Sequence, residues 1–270
     1  MEASKRVHYY HADASSFGGV LEHPVKKVVP SQAAVSLPAA GGYTSTRSGA
    51  FNFEEIASCG GAFTHASGGM SLKNGAWTTL VTSAVENLNI LEVVTADRVV
   101  AQISIEHPVE GHDPKVTFVG SHFQNLRIGG VPVEPAMNLG LLTPETGYPG
   151  CPWTRHEGFL KRVRDQHHQR TKGKKVPAWA VERYAWVESQ QGIEERGHVV
   201  CSLVDSLKGE IPGKTFGHVV EIEEFGRFFF GEVVVAQGGF QLTMVRAELG
   251  CAVHGSLGVA SARGNGHTYP

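Results

Sequence analysis

Along Val99, Ala101, Ile103 and Ile105 every second residue is apolar, while Arg98, Gln102, Ser104 and Glu106 on the other parity are polar, with Val100 the one exception. A strand with one buried and one wetted face requires this two-residue period, because successive side chains point to opposite sides. The period recurs through two long stretches, Trp77 to Val133 and Phe216 to Cys251. It predicts a mainly β protein, an antiparallel sandwich or barrel.

The punctuation of these stretches sets their turns. Leu88 and Ile90 share one parity and Leu91 and Val93 the other, so a bulge or strand break is expected near Leu91. Gly129-Gly130 and Gln237-Gly238-Gly239 each sit between alternating apolar arms and read as hairpin turns. Pro24, Pro30 and Pro38 interrupt the first 50 residues, which therefore read as irregular or edge-like, since proline donates nothing to a ladder. At the other end, Ser261 to Gly266 is small and polar and is expected to fray unless a neighbour holds it.

Between the β stretches the composition changes. Thr154 and Glu157 have the spacing of a capping box ahead of Phe159, Leu160 and Val163, which predicts a helix from about Arg155 to Gln169. The segment carrying Trp179, Tyr184 and Trp186 is compatible with helix or strand. With no linker-like run in view, residues 1–270 read as one β-rich domain with a helical, basic insert at about 152–195.

At 270 residues the chain buries a core without metal or disulfide staples, and 41% apolar with 19% charged residues argues against global disorder. Its formal net charge of −2 gives no general attraction to nucleic acid or anionic membrane. No stretch approaches a bilayer-spanning length. No signal peptide opens the sequence, so a cytoplasmic location is expected, or an exported one if a leader has been removed. Cys59, Cys151, Cys201 and Cys251 stand far apart without a Cys-x-x-Cys pair, and read as small buried thiols.

Thr78-Thr79-Leu80-Val81 through Val93-Val94-Thr95-Ala96-Asp97, followed by Asn125 to Val133, forms a further pattern of packing and turn residues. In these motifs, covering about half of the chain, the protein resembles uncharacterised bacterial β-rich proteins of the choice-of-anchor type. The resemblance implies a β fold and no assigned activity, and it supplies no functional residue. The chain departs from that family in showing neither export signal nor surface anchor.

Chemistry-bearing residues are plentiful, but no catalytic motif joins them. His112, Asp113 and His122 are the candidates for general acid–base work, an imidazole near a carboxylate being its minimum. Neither a Gly-x-Ser-x-Gly elbow nor a phosphate-binding glycine loop accompanies them. His8 and His11 are spaced for one metal ion but lack a visible third ligand, and adjacent His167 and His168 diverge on a helix. No metal or cofactor is expected. Arg155, Lys161, Arg162, Arg164, Lys172, Lys174 and Lys175 form the largest local charge excess, read either as an anion or acidic-partner patch or as a solvated helix face. Phe228-Phe229-Phe230 puts rings on both faces of its strand, which calls for burial under the insert or for a self-interface.

Two functions are therefore expected. The first is a non-enzymatic assembly or binding protein, a homo-oligomer through strand edges or the aromatic face. The second is a β-barrel enzyme or small-molecule binder with a pocket holding His112, Asp113 or His122.

Overall fold

The computed structural model describes residues 7–109, 113–144, 147–171, 176–250 and 253–269. Two antiparallel sheets face each other across one continuous apolar core, and a short helical insert covers the outside of one of them. In the first sheet Lys214–Phe216, Val219–Ile222, Gly226–Ala236, Gly239–Leu249, His254–Tyr269, Val7–His23 and Lys27–Gln32 follow in that order. Val35–Ser36 joins Val7–His23, and His198–Ser202 joins Gly226–Ala236. The second sheet centres on Trp77–Ile90 and Val94–His107, the latter carrying the alternation of Val99 to Ile105. Gly61–Met70 flanks Trp77–Ile90, and Gly42–Ser48 lies outside it. The sheets approach closely: a Cβ added at Gly264 would stand 2.7 Å from Ile105 Cδ1.

The expected turns are present at Gly129-Gly130 and Gln237-Gly238, and the Trp77–Ile90 strand breaks at Leu91, where Leu91 and Glu92 take positive φ. The first residues differ from expectation, and the tail has the neighbours that it needs to stay ordered. Residues Val7–His23 form a 17-residue strand rather than an irregular segment. The small, polar tail is a strand held on both sides within its own chain, by Val7–His23 and Gly239–Leu249. That tail is therefore not an edge offered to another subunit. Small residues suit it because the sheets meet tightly there.

Among the described residues the insert holds three helices: α1 (Glu157–Thr171), α2 (Ala178–Ala185) and α3 (Gln190–Arg196). The capping box is replaced by a 3-10 turn at Trp153–Arg155, after which His156 Nδ1 accepts the Phe159 N–H at 3.2 Å. Trp179 and Tyr184 lie on α2, and Trp186 opens a 3-10 turn.

A transverse seam crosses the first sheet. Gly231, Met244, Ala260 and Ser16 are skipped in the registers of four neighbouring strands and fall in one row. Gly231 has φ +64° and Ala260 φ +50°. The seam reverses which face a given parity presents. Phe230 looks into the sandwich, 6.0 Å from the ring of Phe123, whereas Glu232, two residues on, looks out at the insert. Phe229 looks outward beneath the insert, so all three phenylalanines are fully buried. Each contributes roughly 1.5–3 kcal/mol of apolar burial.

Replacing Gly231 tests the seam. Its left-handed φ disfavours any Cβ, and a Cβ there would meet Val204 Cγ2 at 3.1 Å. Gly231→Ala is expected to lower the urea unfolding free energy by about 1–2 kcal/mol. Gly238→Ala, with open space around it, should cost little by the same measurement.

Candidate functional site

One side of Gly226–Ala236 is shared by two strands. Val219–Ile222 pairs up to Phe229, and His198–Ser202 takes over at Glu232. In the gap the Phe230 N–H binds the His218 carbonyl, and the Leu203 N–H binds that of Gly231. Through this junction His218 and Glu232 reach the outer face of the sheet and meet α1 and α2.

Arg183 of α2 donates to Glu232 Oε1 at 2.9 Å, and Arg246 binds Oε2 through Nε. Arg246 also binds Glu248, which Arg183 and Arg227 approach at 3.7 and 3.6 Å. The ring of Phe229 lies under two guanidinium groups, 4.6 Å from that of Arg183 and 3.8 Å from that of Arg246. His218, fully buried, holds its Nε2 at 3.2 Å from the Tyr184 hydroxyl and 3.9 Å from Glu232 Oε1. Arg170 stacks on Tyr184 and donates to Gln166, which in turn donates to the Ser202 carbonyl and to Asp205.

The electrostatics tie these groups into one unit. Burial and then the charge of Arg170 hold His218 down to about 3, so its imidazole is neutral. Burial pushes the Glu232 carboxyl upward, but the contacts from His218 and Arg246 and the charges of Arg246 and Arg183 outweigh it. The net result lies well below the usual carboxylate range. Burial raises Tyr184, and the buried Cys201 thiol is pushed up to about 12. None of these groups exchanges a proton near neutral pH. The arrangement fastens α1 and α2 to the sheet through a charged interior.

The residues singled out from sequence lie elsewhere. His112 is outside the described residues, as are Lys172, Lys174 and Lys175. Asp113 is half-buried, and His122 is exposed with Nδ1 at 2.8 Å from the Gly120 carbonyl. His122 pairs with Val100, whereas Lys115, two residues after Asp113, pairs with Glu106. Six strand residues separate those points, on the order of 20 Å, so Asp113 and His122 do not share a site. Arg155 ion-pairs with Glu194 at 3.1 Å, Arg162 donates to the carbonyls of Leu141 and Thr143, and Arg164 donates to that of Val187. Lys161 is exposed. His8 is buried and stacked on Trp77, while His11 is exposed on the other parity, so the two do not converge. His167 and His168, expected to diverge, both approach Glu188 Oε1, at 3.7 and 3.0 Å. Among the described residues no group of His, Cys, Asp or Glu is placed to hold a metal ion, and no helix is long and apolar enough to cross a membrane.

Glu232 escaped the sequence reading because alternation puts it in line with Phe228 and Phe230. The available signal was a lone carboxylate directly after Gly231, inside the apolar run Phe228–Val235.

Removing the central charge should expose its role. Glu232→Gln leaves Arg183 and Arg246 with Glu248 as their remaining counter-charge and is expected to lower stability by about 3 kcal/mol in denaturant titrations.

The pH dependence follows from His218. Unfolded, it takes up a proton near its ordinary 6.5, and folded only near 3. The unfolded chain binds more protons across that window, so stability falls as pH drops through it, by at most about 1.4 kcal/mol per unit from this group. Glu232 adds the same sign below its ordinary 4.5, and burial gives His65 and His167 that sign too. Urea unfolding at pH 7 and pH 5 should therefore show a shallower pH slope in His218→Gln than in the parent protein. Equal slopes would mean that His218 is not held neutral.

No curated protein and no solved structure matches the chain. A family model does, over residues 8–236, from the Val7–His23 strand through the insert to the end of Gly226–Ala236. Its description is a domain of unknown function, DUF8256, and the chain belongs to that family.

Proposed function

We propose that the protein works by association rather than by catalysis: a non-enzymatic β-sandwich that binds by adding a strand to its second sheet. The observation that carries this reading is the Gly42–Ser48 strand. It pairs with Gly61–Met70 in unbroken register from Gly42↔Gly68 to Ser48↔Ala62. Among the described residues nothing hydrogen-bonds to the backbone along its outer side. Every second residue of such a margin directs its N–H and C=O outward, a ready template for another strand.

The other margins are blunted. Lys27–Gln32 carries a lysine and Pro30, and Val131–Pro132 is two residues ending in proline. Phe51–Phe53 and Lys214–Phe216 have three residues each. Gly42–Ser48 has seven, with no proline and Arg47 as its one charge. Short strands, proline and lysine are the usual devices against edge pairing, so their absence at one long margin supports use of that margin. The groups best suited to acid–base chemistry, Glu232 and His218, support the same reading, because both are locked beneath the insert. The resemblance to choice-of-anchor type β proteins remains part of this proposal and bears on the fold alone.

Native mass spectrometry of protein recovered from its source reads association of either kind, with itself or with another chain. Hydrogen exchange then identifies the protected segment. We expect a complex in which amides of residues 42–48 are protected, and its loss in Thr46→Pro with the fold retained by circular dichroism. A bare monomer, or a complex that leaves residues 42–48 unprotected, would sink the reading.

A further inference from the structure

We infer that the occupant of the Gly42–Ser48 margin is the same strand of a second copy, antiparallel to it about a two-fold axis at Ser45. The inference rests on the strand-addition reading above and names its partner. The strand is complementary to itself.

Tyr43, Ser45 and Arg47 lie opposite Ser67, His65 and Phe63 and share one face. The Tyr43 ring is 4.8 Å from that of His65, and the Arg47 guanidinium stands 5.1 Å above the Phe63 ring. Tyr43 is 68% exposed, the most exposed aromatic residue among the large apolar ones described. Set against its own copy about Ser45, the strand places Tyr43 opposite Arg47 of the second copy, and Arg47 opposite its Tyr43. Each guanidinium then lies between Phe63 of its own chain and a tyrosine of the other, a cation–π arrangement formed twice. Thr44 faces Thr46, a favoured β-branched pair, on the opposite side. Ser48, whose hydroxyl has no partner among the described residues, falls opposite Gly42.

Shifting the axis to Thr44 or Thr46 loses both tyrosine–arginine pairs, so the chemistry selects one register. Ser45 suits either kind of antiparallel pair, because an axis can pass through a hydrogen-bonded or a non-hydrogen-bonded site. Such a contact is isologous and closes at two subunits. It makes one continuous sheet out of the two ten-stranded ones.

The test exchanges the two residues. Tyr43→Arg sets arginine against arginine twice and should raise the dimer dissociation constant about tenfold or more in analytical ultracentrifugation. Arg47→Tyr alone removes both cation–π pairs and should also weaken the dimer. The double variant Tyr43→Arg with Arg47→Tyr rebuilds the same pairs across the axis and should restore the dimer to within about threefold. Rescue by exchange requires a copy of the same chain in this register. Ser45→Cys, with Cys151→Ser to remove the half-exposed native thiol, should in addition give a covalent dimer on mild oxidation. A chain that stays monomeric, or a dimer indifferent to Tyr43→Arg, overturns the inference. Should a different protein instead protect residues 42–48, the strand-addition reading stands and self-pairing falls.

Discussion

The first sheet depends on a pairing between the two ends of the chain. Val7–His23 and His254–Tyr269 lie side by side in that sheet, from Val7↔Tyr269 to His23↔His254. Closing the loop of about 230 residues between them costs on the order of 5 kcal/mol in chain entropy. Burial of Tyr10, Phe17, Leu21, Leu257 and Val259 against the second sheet offsets that cost. Lys27–Gln32 pairs on one side of these two strands and Gly239–Leu249 on the other. The family match ends at residue 236, yet the last two strands occupy the centre of the sheet.

The seam through Ser16, Ala260, Met244 and Gly231 shows how one local backbone state reorganises chemistry at a distance. A strand without it would turn Glu232 into the apolar space between the sheets, where an unpaired carboxylate is strongly disfavoured. The positive φ of Gly231 instead aims Glu232 at Arg183 and Arg246. The helical insert then docks on charge as well as on apolar surface. A buried ion pair is a weak source of net stability because desolvation opposes it. Its evident effect here is orientation, since Glu232 binds both arginines and the Phe229 ring lies under both guanidinium groups.

The sheet margins carry the other half of the physical logic. A β-sandwich this open has several edges, and each is a hazard unless it is short, charged, prolyl or covered. The five-residue strand His198–Ser202 packs against α3, and the remaining short margins offer little backbone to a partner. The contrast with Gly42–Ser48 is what gives that strand meaning, more than any single residue in it.

What the sequence determined by itself was the class of fold and much of its punctuation. Alternation at Val99 to Ile105, the parity break at Leu91 and the glycine turns at 129–130 and 237–239 are properties of short windows, and physics within a short window settles them. That Phe228 to Phe230 put rings on both faces of their strand was legible for the same reason, whereas the cover of the outer ring by the insert was not. Only the tertiary structure decided that the small, polar tail is a central strand, that Asp113 and His122 stand apart, and that Glu232, Arg183, Arg246 and His218 converge. Those outcomes depend on which distant strands become neighbours. They depend also on one glycine's positive φ reversing the two faces, and no periodicity along the chain encodes that reversal.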